Sequence, residues 1–194
     1  MSSVDIKTGP STGNTIMTAA DGSIYTISPD GRTLSVTSVE HHKGGPDTFS
    51  TTRYTAWDDE TGRPTAGVDP GGASFTLSYD GASTVKTMAD GTVFRSDGDG
   101  HVVSVTSVEH HKGGPDTFST TRYTAWDDET GRPTAGVDPG GASFTLSYDG
   151  ASTVKTMADG TVFRSDGDGH VVSVTSVEHH KGGPDTFSTT RYTA

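Results

Sequence analysis

Residues 35–103 recur letter for letter as residues 104–172, and a long exact repeat confines a chain to folds in which each unit packs on its neighbours. The period is 69 residues, the distance from Ser35 to Ser104. A third copy occupies residues 173–194 and stops after Thr189-Thr190-Arg191-Tyr192-Thr193-Ala194, a run that leads into Trp57 and Trp126 in the earlier copies. Residues 1–34 are a diverged copy. Shifted by one period, Val4-Asp5-Ile6-Lys7-Thr8 falls on Ala73-Ser74-Phe75-Thr76-Leu77, and residues 23–34 match 92–103 without a gap. They read as an N-terminal cap on a single repeat domain spanning 1–194. Perfect identity with a stop inside a motif suggests a designed or trimmed chain, with recent duplication as the other source of such copies.

Each period divides into three strand-turn-strand units. Residues 52–57 are expected to pair with 63–68 across Asp58-Asp59-Glu60-Thr61-Gly62, and 74–79 with 83–88 across Asp80-Gly81-Ala82. The third unit pairs 92–96 with 101–108 across Asp97-Gly98-Asp99-Gly100. Asp-Gly between alternating strands is a strong hairpin signal, because glycine accepts the positive φ that tight turns need. Asp69-Pro70-Gly71-Gly72, Ala89-Asp90-Gly91 and the longer run from Glu109 to Asp116 read as reversals between hairpins.

Alternation sets Phe75, Leu77 and Tyr79 on one face and Ser74, Thr76 and Ser78 on the other, and likewise Tyr54 and Ala56 against Arg53 and Thr55. The fold class is therefore all-β: antiparallel β-hairpin repeats in a continuous sheet, curled into a spiral strip or barrel-like shell to protect its apolar face. The alternative is a β-propeller, which six strands per period fit poorly because a blade has about four. Only 29% of residues are hydrophobic, and adding the 26 glycines still leaves the share below the usual value of about 45–50%. Any core must be thin. Short alternating runs separated by regular turns argue for a folded chain over a disordered polar tract.

The formal charge of −11 opposes nucleic acid and anionic membranes as partners, since both repel an acidic protein at long range. With no cysteine there is neither a disulfide framework nor thiolate chemistry. No apolar run approaches the roughly 20 residues of a membrane-spanning helix, and Met1-Ser2-Ser3 is not a signal peptide.

Tyr79-Asp80-Gly81, Tyr148-Asp149-Gly150, and Trp57-Asp58-Asp59-Glu60-Thr61-Gly62-Arg63 followed by Asp69-Pro70-Gly71-Gly72 resemble the RHS or YD repeat family. Its motif is a Tyr-Asp pair, then Gly-Arg, a β run and a closing Asp-Gly turn. Ser28-Pro29-Asp30-Gly31-Arg32 also fits the Asp and Gly-Arg elements, whereas Trp57 replaces Tyr, and Ala82-Ser83 and Gly100-His101 replace Gly-Arg. The resemblance implies a spiralling β shell of the kind found in bacterial toxins and cell-surface proteins, hence a secreted or surface parent protein and a scaffold role. Nothing in the chain matches that family's self-cleaving protease core.

Three groups of residues invite chemistry. The pairs His41-His42, His110-His111 and His179-His180 offer imidazoles for zinc, copper or nickel, but neighbours on a strand point to opposite faces and no third ligand is adjacent. Asp97-Gly98-Asp99-Gly100 and Asp58-Asp59-Glu60 resemble calcium loops, yet Asp-Gly is also what a bare hairpin turn requires. Tyr54, Trp57, Phe75, Tyr79 and Phe94 offer surfaces for stacking on sugar rings, or else they form the thin core. The histidines and acidic turns are read as loop residues and the aromatics as core. The expectation is a non-catalytic repeat scaffold with no catalytic residues, metal or cofactor. Its expected partner is itself, through open edge strands formed by residues 189–194 and 4–8, giving a homo-oligomer or filament. The alternative function is a carbohydrate-binding repeat module.

Overall fold

The computed structural model describes residues 5–8, 13–40 and 46–192. Among them every regular element is a β-strand, as the alternation requires. The chain forms two compact units, Met1–Val93 and Phe94–Ala194.

In the first unit the strands are β1 (Asp5–Thr8), β2 (Thr15–Thr18), β3 (Ile24–Ile27), β4 (Thr33–Glu40), β5 (Thr48–Trp57), β6 (Pro64–Val68), β7 (Ser74–Asp80) and β8 (Ser83–Met88). Each pairs antiparallel with the next. The second unit begins within β9 (Val93–Ser96), which pairs with β10 (Val102–Glu109). It continues through β11 (Thr117–Trp126), β12 (Pro133–Val137), β13 (Ser143–Asp149), β14 (Ser152–Met157), β15 (Val162–Ser165), β16 (Val171–Glu178) and β17 (Thr186–Arg191). Those pairings also link consecutive strands only. Among the described residues neither unit joins its first strand to its last. Eight consecutive strands in one ladder are not the four-stranded blades of a propeller, and neither unit is closed into a barrel.

Register repeats faithfully. Ser35↔Arg53 through Glu40↔Thr48 in the first copy becomes Ser104↔Arg122 through Glu109↔Thr117, then Ser173↔Arg191 through Glu178↔Thr186. The central rungs carry facing threonines whose hydroxyls hydrogen-bond: Thr37 to Thr51 at 2.8 Å, Thr106 to Thr120 and Thr175 to Thr189 both at 2.9 Å. Such a cross-strand pair contributes about 0.2–1 kcal/mol.

Two details differ from the expectation. The β4–β5 ladder reaches out to the Glu40–Thr48 rung, so Glu40 is a strand residue rather than part of the reversal and β5 begins at Thr48, ahead of the expected 52–57; the β-branched and aromatic residues of Thr48-Phe49-Ser50-Thr51 outweigh the loop signal of the preceding Gly-Gly-Pro-Asp run. In the β7–β8 hairpin Asp80 pairs with Ser83, so the turn is Gly81-Ala82 alone. Gly81 has φ of 60° while among the described residues no residue other than glycine has positive φ, which is the glycine-first pattern of a type II′ hairpin.

The predicted division of faces holds along β7, where Phe75 is buried and Leu77 and Tyr79 are half-buried while Ser74, Thr76 and Ser78 are exposed. Phe75 and Phe144, each 4% exposed, are the buried apolar side chains among the described residues. The register explains why. Gly67 stands directly opposite Phe75, and a Cβ there would lie 2.6 Å from Phe75 Cζ and 2.5 Å from the Arg53 carbonyl oxygen. The missing side chain lets the Phe75 ring fold over the strand and meet Tyr54 edge to face at 6.3 Å. Burying such a ring contributes about 1.5–3 kcal/mol, and Gly136, Phe144 and Tyr123 repeat the arrangement.

Candidate functional site

The histidine pairs bond to carboxylate and hydroxyl groups close in sequence, and His179 Nε2 also lies 3.3 Å from the Asp159 carbonyl oxygen of a neighbouring turn. His110 Nδ1 lies 3.0 Å from Asp116 Oδ2, and His111 Nε2 lies 3.0 Å from Thr117 Oγ1. The same contacts recur as His179 with Asp185 and His180 with Thr186. The Asp159 carbonyl oxygen, followed by the Asp185 carboxylate, raises the pKa of His179. His41 and His42 lie outside the described residues.

The Asp58 turn is closed by its own side chains, while Asp59 reaches out to Arg32. Thr61 donates both its N–H and its hydroxyl to Asp58 Oδ1, each at 2.7 Å, and the hydroxyl bond is the main cause of a lowered Asp58 pKa. Asp127 and Thr130 repeat it.

The aromatic rings are already in use. Lys86 Nζ sits 4.2 Å over the centre of the Phe75 ring, and the Arg63 guanidinium sits 5.0 Å over Tyr79. The Tyr79 hydroxyl donates to the Pro64 carbonyl at 2.7 Å. Burial raises the pKa of Tyr54 and of Tyr79. Trp57 is half-buried and its indole N–H donates to the Thr33 carbonyl at 3.0 Å; Trp126 donates to the Val102 carbonyl at 3.3 Å. A shallow depression of about 360 Å³ runs past Tyr148, Arg132 and Asp127, but Arg132 covers the ring there at 5.0 Å. Phe49, Phe118 and Phe187, by contrast, are 64–70% exposed at the far ends of the long hairpins.

One grouping was not anticipated. At the turn into β10 the Asp97 N–H donates to the His101 carbonyl at 3.0 Å, and Asp97 Oδ1 accepts the N–H groups of Asp99 at 3.0 Å and His101 at 2.9 Å. The turn thereby brings Asp97, Asp99 and His101 together, with one ligand atom from each all within 4.8 Å of one another. Asp97 Oδ2 lies 3.6 Å from His101 Nδ1. The imidazole lies stacked on Trp126, with centres 5.3 Å apart and planes at 20°. Asp166, Asp168 and His170 form the same cluster, and there the His170 side chain is 73% exposed. The backbone N–H of His170 is the main cause of a lowered Asp166 pKa.

Read from sequence alone, the two aspartates belong to a turn and histidine enters only through the adjacent pairs. The Asp-x-Asp-x-His spacing of Asp97, Asp99 and His101 carried the missed signal, because a carboxylate at the start of a tight turn accepts the N–H groups two and four residues on and draws those residues around it.

The diverged copy builds this turn from other residues. The Ser28 N–H donates to the Arg32 carbonyl at 2.8 Å, and the Ser28 hydroxyl accepts the Arg32 N–H at 3.0 Å while donating to the Asp30 carboxylate. The Arg32 guanidinium then lies 3.2 Å from Asp30 and 3.1 Å from Asp59. No protein-family model matches the chain, and no curated protein matches it.

Proposed function

We propose that the protein is a non-catalytic structural scaffold, a fragment or designed version of a bacterial shell or surface protein of the RHS or YD repeat type. The supporting observation is how the aromatic side chains are used. In both internal copies a cation covers the phenylalanine and tyrosine rings, and the tyrosine hydroxyl and indole N–H that would engage a sugar donate to backbone carbonyls. Stacking a sugar on these rings would first require breaking the contacts that hold the sheet's apolar face together.

Self-association belongs to the same reading. β17 pairs with β16 alone among the described residues, and all its residues are exposed. An edge strand of this kind adds a strand from a second copy through its outer N–H and C=O groups.

Tryptophan fluorescence separates scaffold from carbohydrate module. Titration with neutral oligosaccharides is expected to leave the emission of Trp57 and Trp126 unchanged; a saturable shift would replace the scaffold reading with the binding one. Phe75→Ala is expected to cost about 3 kcal/mol in thermal unfolding, the lower end of the range for burying and then deleting a phenyl ring.

A further inference from the structure

We propose that Asp97, Asp99 and His101, and again Asp166, Asp168 and His170, form binding sites for a first-row divalent transition ion of the zinc or cobalt class. The argument rests on three observations beyond the presence of carboxylates.

The first is that the fold does not need this set. In the diverged copy the turn closes with the same backbone hydrogen bonds, Gly31 N–H to the Ser28 carbonyl at 2.9 Å matching Gly100 N–H to Asp97 at 3.2 Å. A serine hydroxyl suffices where Asp97 stands, and an arginine where His101 stands. Closing the turn uses Asp97 Oδ1 only, and among the described residues nothing donates to the Asp99 side chain.

The second is that the diverged copy shows a cation in this place. Arg32 lays its guanidinium against Asp30, the residue equivalent to Asp99, and against Asp59 on the neighbouring loop. Asp128 holds the position of Asp59 one period later. Replacing Ser28 and Arg32 by Asp97 and His101 takes the formal charge of the turn from zero to −2 with a neutral imidazole. The internal copies lack the cation that their relative carries covalently.

The third is donor chemistry and geometry. Tetrahedral ligands about 2.1 Å from one ion are about 3.4 Å apart, so side-chain shifts of about an ångström gather atoms now within 4.8 Å. Two carboxylates with one imidazole suit zinc, cobalt or nickel, whereas calcium and magnesium take oxygen donors. Stacking on Trp126 fixes the plane of the His101 ring, as outer contacts commonly orient a ligating histidine.

The test is titration of the full chain with Co²⁺, followed by calorimetry and, in Trp57→Phe, by the emission of the remaining indole. Two ions per chain are expected, with quenching of Trp126, and no heat with Ca²⁺. Changing both His101→Arg and His170→Arg installs the covalent cation of the diverged copy. It is expected to leave the circular dichroism spectrum and Tm in place and to weaken binding tenfold or more. Asp99→Asn with Asp168→Asn, which touches no side-chain hydrogen bond of the turn, must do the same, and it decides the matter if the arginine variant fails to fold. Absence of Co²⁺ binding, or equal binding in both double variants, overturns the proposal; the latter outcome moves the ions to the His110-His111 and His179-His180 loops.

Discussion

The turn from Ser28 to Arg32 and the turn from Asp97 to His101 occupy equivalent places one period apart, and of their five residues only the third, aspartate, and the fourth, glycine, are the same. Their backbones nevertheless close alike. Gly31 and Gly100 have φ of 86° and 89°, and in each case a side-chain oxygen at the first position accepts the N–H of the fifth. The two turns divide their duties among the same five positions. An acceptor at position one and a left-handed residue at position four make the turn, while positions one and five together set its charge. Geometry is held constant as the electrostatics change from a neutral Asp-Arg pair to two uncompensated carboxylates.

Substitutions at these positions test how far the two turns are equivalent. The largest effect is expected at the shared glycine: Gly31→Val and Gly100→Val should each cost about 1–2 kcal/mol, the penalty for an L residue in the left-handed region, and clearly unequal losses in thermal unfolding would mean that the turns are not equivalent. Next comes the acceptor. Asp97→Ala should cost about 1 kcal/mol and Ser28→Ala about half of that, since Asp97 accepts two backbone N–H groups and Ser28 one.

The third measurement exchanges the electrostatics alone. Ser28→Asp with Arg32→His should change Tm by less than about 2 °C, as surface substitutions usually do, while adding a third Co²⁺ per chain in calorimetry. An unchanged stoichiometry would show that the turn residues alone do not make the site. The smallest effect is a titration. The Ser28 hydroxyl is the main cause of the lowered Asp30 pKa, so Ser28→Ala should return that carboxyl toward its ordinary value of 3.8 in a carboxyl-resolved NMR titration. The sign follows from the lowering: the stability gained from ionised Asp30 is complete above the ordinary value and is lost as the pH falls through the lowered one.

Much of this could be seen without coordinates. Apolar alternation in Phe75-Thr76-Leu77-Ser78-Tyr79 and the regular glycines locate the hairpins because both act through the nearest few residues. The aromatic packing was legible only in part: Phe75 and Tyr54 read as core, but the role of Gly67 between them depends on a cross-strand register that no single strand reveals. His101 was missed for a related reason. The turn holds it beside Asp97, and the ring is braced by Trp126, which is distant in sequence and adjacent in space. The extent of Thr48–Trp57 was missed because a Gly-Gly-Pro-Asp run just ahead of it argues for loop.

Pairing between consecutive strands, in a register reproduced from copy to copy, also shapes how the chain reaches this state. No ladder rung among the described residues closes a longer stretch of chain than the one from Ser35 to Arg53, so nucleation can start in any hairpin and spread to its neighbours. The same economy creates an ambiguity. β4 is offered Thr48–Trp57 and Thr117–Trp126 as partners of identical sequence, so side-chain complementarity cannot tell the right strand from the one 69 residues further on. Only the shorter connecting loop favours the native choice, by about 1–2 kcal/mol of closure entropy. Refolding at high concentration should therefore yield strand-exchanged dimers, in which every hydrogen bond is native-like and only the connectivity is wrong.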